Sequence, residues 1–212
     1  VLSYQDLMIQ DESRRKSIPY FNMSSVPYSN IIISTEKDTV YNIISDIADL
    51  FGCSCISGKG QNSLAAMEDL LRKIQRNYSP LRDIYILTMT DYDPSGYSIA
   101  DTFSQQANDL KTILNLDYDI HVDRIGIFPE QLSQAEIQQN MYSPKPTNLD
   151  KWVQATGGIN GEPKGLELDS LSPERLRSIF ATSLKKYIDQ NNYTKYIQAS
   201  YLRQSIQQAL QP

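Results

Sequence analysis

The sequence predicts an α/β protein: a mostly parallel sheet of about four strands flanked by helices, with a C-terminal helical extension. Two observations predict it. Short β-branched runs alternate with stretches of ten or more residues whose apolar positions recur at helical spacing, which is the pattern of βα crossovers and of a sheet covered on both faces. The second is size and composition. The chain has 212 residues, 40% hydrophobic and 21% charged, with only 9 Gly and 10 Pro, enough for one sizeable core plus an appendage.

In chain order, residues 1–29 are polar, carry the basic triplet Arg14, Arg15, Lys16, and hold Ile18-Pro19 and Val26-Pro27. Residues before proline favour extended chain, so this stretch reads as a connector. Residues 31–34 are a β-branched run. Over 39–51, Val40, Ile43, Ile44, Ile47 and Leu50 repeat with a helical period that ends at Gly52. The unit recurs as a strand over 53–56, the turn Gly58-Lys59-Gly60, and a helix over 63–76 through Leu64, Met67, Leu70, Leu71 and Ile74. A third strand, 84–90, runs into Asp91-Tyr92-Asp93-Pro94-Ser95-Gly96, a helix over 97–110 and a fourth strand near 120–127. The core is thus expected over 30–130. Within the extension, 131–212, the sequence suggests a short helix around 130–139 and an irregular insert over 142–163. Helices follow over 173–188 and 194–210.

Charge and cysteine content exclude several classes. A net charge of −5 argues against binding nucleic acid by bulk positive charge, so any such role needs local patches or a metal. No apolar run is long enough to span a membrane, and no secretory leader is expected, which points to a cytosolic protein. Cys53 and Cys55 lie too close together to staple a fold and read as reduced core residues. A Cys-x-Cys with only His121 elsewhere makes a poor zinc site. His121 falls inside a strand, where a packed or hydrogen-bonded role is expected.

The functional crevice of an open parallel sheet lies beyond the carboxyl ends of its strands. Three acidic residues fall there: Glu36 after the first strand, and Asp91 and Asp93 after the third. An all-oxygen set open to water suits Mg²⁺, which keeps several waters and is completed by phosphates. The structural alternative is that the aspartates cap the following helix. Lys59, between two glycines, is placed to reach a phosphate, although the Walker spacing is missing.

Together, Ile31-Ile-Ile-Ser-Thr-Glu-Lys-Asp38, Gly58-Lys-Gly-Gln61 and Asp91-Tyr-Asp-Pro-Ser-Gly96 with Ile99-Ala100 resemble the Toprim domain of the topoisomerase VI A subunit and its meiotic double-strand-break relatives. Ser17-Ile18-Pro19, Arg124-Ile-Gly-Ile-Phe-Pro129 and Lys164-Gly-Leu-Glu-Leu-Asp-Ser-Leu171 resemble further family segments, so the likeness spans roughly 17–188. It departs at Asn62, where Pro is usual, near Met67, where the family has an Arg, and in the spacing of the late lysine.

The resemblance implies a Toprim (Rossmann-like) core that binds Mg²⁺, or Mn²⁺, through Glu36, Asp91 and Asp93, with Lys37 and Lys59 as weaker phosphate contacts. It further implies DNA as partner, a homodimer and an ATPase B subunit, in a type IIB topoisomerase that cuts and religates double-stranded DNA. The location would be cytoplasmic at the nucleoid, or nuclear. In that family the attacking tyrosine comes from an N-terminal winged-helix domain. The residues before the first strand are too few for one, and Tyr4, Tyr20 and Tyr28 are not nominated. No catalytic residue is therefore assigned, and this chain alone is expected to be inactive. Three rivals are a Toprim nuclease using metal-activated water, a non-catalytic dimerisation or DNA-interaction module, and a haloacid-dehalogenase-like phosphatase. The last expects its Asp-x-Asp on an early strand, with Thr or Val two residues after the second Asp.

Overall fold

The structure, a computed structural model, describes residues 30–57, 61–77 and 83–188, together with Thr194, Gln198 and Leu202. The expected connector, the Gly58-Lys59-Gly60 turn and most of the last expected helix lie outside the described residues; the three isolated positions are helical. Four parallel strands form one sheet in the order β2-β1-β3-β4, with β1 at Ile31–Thr35, β2 at Ser54–Ser57, β3 at Ile84–Met89 and β4 at Ile120–Gly126. Helices α1 (Asp38–Leu50), α2 (Gln61–Asn77) and α3 (Pro94–Leu114) make the three crossovers. The fold is α/β, as the alternation of periods predicts.

Side chains leave a strand on alternate faces, and this sorts the core into two. Ile31, Ile33, Leu87 and Met89 join one cluster with Val40, Ile44 and Ala48 of α1. Ile32, Ile84 and Ile86 join the other, with Met67 and Leu71 of α2 and Phe103, Ala107 and Leu110 of α3. Consecutive isoleucines in β1 are buried on both faces, which only a two-side-covered strand can satisfy.

Helix α3 starts three residues before and ends four residues after its predicted bounds. Pro94 occupies its first turn, where the missing N–H costs nothing, and Asn115 closes it in the left-handed conformation. Beyond β4 come a 3₁₀ turn (Pro129–Gln131), α4 (Gln134–Asn140), β5 (Met141–Tyr142), α5 (Leu149–Thr156), β6 (Gly165–Leu166), a 3₁₀ turn (Leu168–Ser170), α6 (Pro173–Leu184) and a final 3₁₀ turn (Lys185–Tyr187). The predicted irregular insert therefore contains a helix, α5, which buries Trp152 and stops at Gly157 with φ +80°. Helix α6 packs on α1 and β4, and its Leu176, Ile179, Phe180 and Leu184 complete the first cluster. Strands β5 and β6 pair antiparallel, and an isolated bridge joins Leu166 to Tyr92. Among the described residues no helix is long and apolar enough to cross a membrane.

Candidate metal centre

The chain leaves β1 toward β2 on one side and later places β3 on the other side of β1. Connections thus diverge at the β1–β3 boundary, and the crevice outside the carboxyl ends of such a pair is where open α/β sheets bind ligands. Parallel pairing sets Thr35 opposite Met89, so the residues that follow these two strands emerge side by side. Glu36 and Lys37 follow β1; Thr90, Asp91, Tyr92 and Asp93 follow β3. Lys37 Nζ lies 3.0 Å from Asp91 Oδ2 and 3.0 Å from Asp169 Oδ2, bridging the sheet edge to the C-terminal extension.

The loop after β3 is held from three directions. Arg124 of β4 donates from Nε to Thr90 Oγ1 (2.9 Å) and from Nη2 to the carbonyls of Asp91 (2.5 Å), Thr90 (3.1 Å) and Ile127 (3.1 Å). Its guanidinium lies over the Tyr97 ring at 4.3 Å and the Phe128 ring at 4.8 Å, and burial lowers its pKa. Thr90 Oγ1 donates to the Gly96 carbonyl (3.1 Å), and a Cβ at position 96 would collide with the Asp91 carbonyl oxygen, so the tight approach requires glycine. From the extension, Leu166 exchanges two backbone hydrogen bonds with Tyr92, and the Tyr92 hydroxyl donates to the Gly158 carbonyl (3.1 Å).

Each aspartate accepts from two directions. Asp91 Oδ1 takes the Leu168 N–H (2.8 Å), while Oδ2 faces Lys37. Asp93 Oδ1 takes the Gly96 N–H (2.6 Å) as the N-cap of α3, and Oδ2 takes the Tyr142 hydroxyl (2.6 Å). Asp169 Oδ1 accepts from the Thr39 hydroxyl (2.7 Å). Burial alone would lower the Lys37 pKa, but its bonds to Asp169 and Asp91 outweigh that and raise it. Burial pushes Asp169 up, and Thr39 and Lys37 pull it further down. Burial first, then the Asp93 carboxylate, raises Tyr142, so its phenol stays protonated and donating.

Glu36, Lys37, Asp91 and Asp93 thus all follow the carboxyl ends of two adjacent strands, while Lys59 lies outside the described residues. Among the described residues no three His, Cys, Asp or Glu side chains gather as a metal-holding group, so Glu36, Asp91 and Asp93 share one edge of the sheet without their carboxylates closing on one point. The capping alternative holds for Asp93 and not for Asp91, which accepts from Leu168 and Lys37 instead of from the helix end. As donors they suit a hard cation. A carboxylate has about four lone-pair sites, so each aspartate retains acceptor capacity beyond its present partners. Asp169, Tyr142 and Arg124 are site neighbours that sequence reasoning did not assign, although Asp169 and Arg124 lie in segments it singled out.

No protein-family model, curated protein or solved structure matches this chain.

Proposed function

We propose that this chain is the Mg²⁺-binding Toprim portion of a type IIB topoisomerase A-like protein, supporting double-strand DNA cleavage and religation by a tyrosine from elsewhere in the assembly. The observation that carries the reading is the position of Glu36-Lys37 and Asp91-x-Asp93 at the β1–β3 switch point, with Lys37 within 3.0 Å of Asp91. Glu36, Asp91 and Asp93 would hold the cation, which when bound neutralises phosphate charge and orients its oxygens. The chain's own residues prepare that role. Arg124 braces the loop backbone, Tyr142 orients Asp93, and Leu168 orients Asp91. An acidic chain then meets DNA through a local charge inversion rather than through bulk charge. Two-fold self-association, an ATPase partner and Lys37 and Lys59 as phosphate contacts belong to the same proposal.

A second reading, a non-catalytic interaction module, is favoured by one observation: every carboxylate oxygen of Asp91 and Asp93 already has a protein donor. Calorimetric titration of Mg²⁺ or Mn²⁺ separates the two. Wild type should release or absorb heat saturably, and Asp91→Ala with Asp93→Ala should not; equal heats from both proteins exclude the metal reading. A plasmid nicking assay on the chain alone should show no cutting, whereas cleavage without a covalent link would favour the nuclease alternative.

A further inference from the structure

The late motif places one carboxylate, Asp169, that nothing in the cation reading uses. It stands on the 3₁₀ turn after β6, fixed by the Thr39 hydroxyl at 2.7 Å, and shares the Lys37 ammonium with Asp91 at equal distances of 3.0 Å. Asp91 is the more enclosed partner, its side chain 14% exposed against 44% for Asp169. One ammonium held equally by two carboxylates can give up either contact without losing its countercharge. A lone Lys37–Asp91 pair could not, because a cation arriving at Asp91 would leave a partly buried ammonium unpaired.

We propose that Asp169 is a parking carboxylate for Lys37: a divalent cation takes Asp91 from Lys37, and the ammonium stays on Asp169 at the mouth of the crevice. This rests on the metal reading above and adds to it a positioning residue and a resident competitor. Lys37 is then the internal cation that divalent metal must displace, and it remains beside the site, where an incoming phosphate meets both charges. Asp169 acts only through Lys37.

Mn²⁺ affinity, read by calorimetry or by the loss of the free-ion electron paramagnetic resonance signal, tests this in a double-mutant cycle. Removing the competitor in Lys37→Met should tighten Mn²⁺ binding about tenfold, the order expected for a unit charge a few ångströms away in a partly hydrated site. Removing the parking site in Asp169→Asn should weaken it several-fold. In the Lys37→Met background, Asp169→Asn should change affinity by less than about twofold, because nothing remains to be parked. Lys37→Met binding equal to or weaker than wild type, or an Asp169→Asn effect of the same size in both backgrounds, overturns the proposal. Lys37→Gln gives the same readout if Lys37→Met fails to fold. Should wild type and Asp91→Ala with Asp93→Ala bind Mn²⁺ identically, the metal reading fails and the parking role falls with it; the cycle can fail while that control holds.

Discussion

At Asp93 the two carboxylate oxygens face different partners, Oδ1 the Gly96 N–H that opens α3 and Oδ2 the Tyr142 hydroxyl of β5. A helix cap needs an acceptor oxygen, whereas a divalent cation needs the negative charge, so substitution separates the two roles. Asp93→Ala should lower unfolding stability by about 1–2 kcal/mol in urea titrations, and Asp93→Asn, which keeps the acceptor, by well under half of that. On the proposed metal reading both should abolish saturable Mn²⁺ binding. Asparagine as costly as alanine would mean that the charge, not the cap, holds the helix end. That Glu36, Asp91 and Asp93 stand just past strands was legible in the sequence, because local pattern alone places the strand ends. Asp169 and Tyr142 were not. Lys37 and Asp169 come together only after the extension folds back, and no local spacing encodes a pairing across that distance.

Helix α4 shows what an element's sequence can and cannot announce. Ser133 and Glu136 form a reciprocal capping box, a Ser-x-x-Glu signal readable in advance. The third partner is tertiary: Arg175 of α6 donates from Nε to Glu136 Oε1 (2.6 Å) and from Nη2 to the Gln131 carbonyl (2.7 Å). Arg175 first, then the Ser133 N–H, hold the Glu136 carboxyl down at about 2. Its folded pKa is therefore below the unfolded value of 4.5, so its contribution to stability is fully present above about 4.5 and is lost as pH falls through about 2. Urea midpoints should drop across that window, and Glu136→Gln should flatten the drop; an identical slope in the variant would show that Glu136 is not a source of the acid sensitivity. Helix α5 is illegible in the sequence for the opposite reason. It is eight residues long, Asn148 at its start gives no side-chain cap, and prolines and glycines on either side read as loop. Trp152 makes it helical by packing edge-on against Tyr92 and Tyr97 at 5.1 and 6.2 Å, a contact invisible along the chain.

Among the described residues the sheet carries helices and a core cluster on each face, and the two cysteines of β2 and its approach report on that burial. Cys53 is buried and Cys55 partly so, both as free thiols. Burial raises the Cys53 thiol strongly and pushes Cys55 up to about 12, so neither offers thiolate near neutral pH. Alkylation by iodoacetamide at pH 8 should be slow in the native protein, accelerate with urea along the unfolding curve, and modify both residues together; rapid labelling of Cys55 alone in buffer would reveal a locally open β2 edge. Parallel pairing and two-sided cover were foreseeable from the alternation of periods, and the edge position of β4, with exposed His121 stacked on Tyr85 at 4.9 Å and 3.2 Å from Asp83, was not. Strand order is a property of the assembled sheet, which sequence order leaves open. Asp91 is tied to Leu168, 77 residues later, and Thr39 to Asp169, 130 residues later. On the ribosome the three carboxylates therefore emerge long before the segment that orients Asp91 and pairs with Lys37. A nascent chain stalled before Leu168 carries Glu36, Asp91 and Asp93 yet lacks both the N–H that fixes Asp91 and the second carboxylate of Lys37, so the loop after β3 gains those restraints only once the later segment has been made.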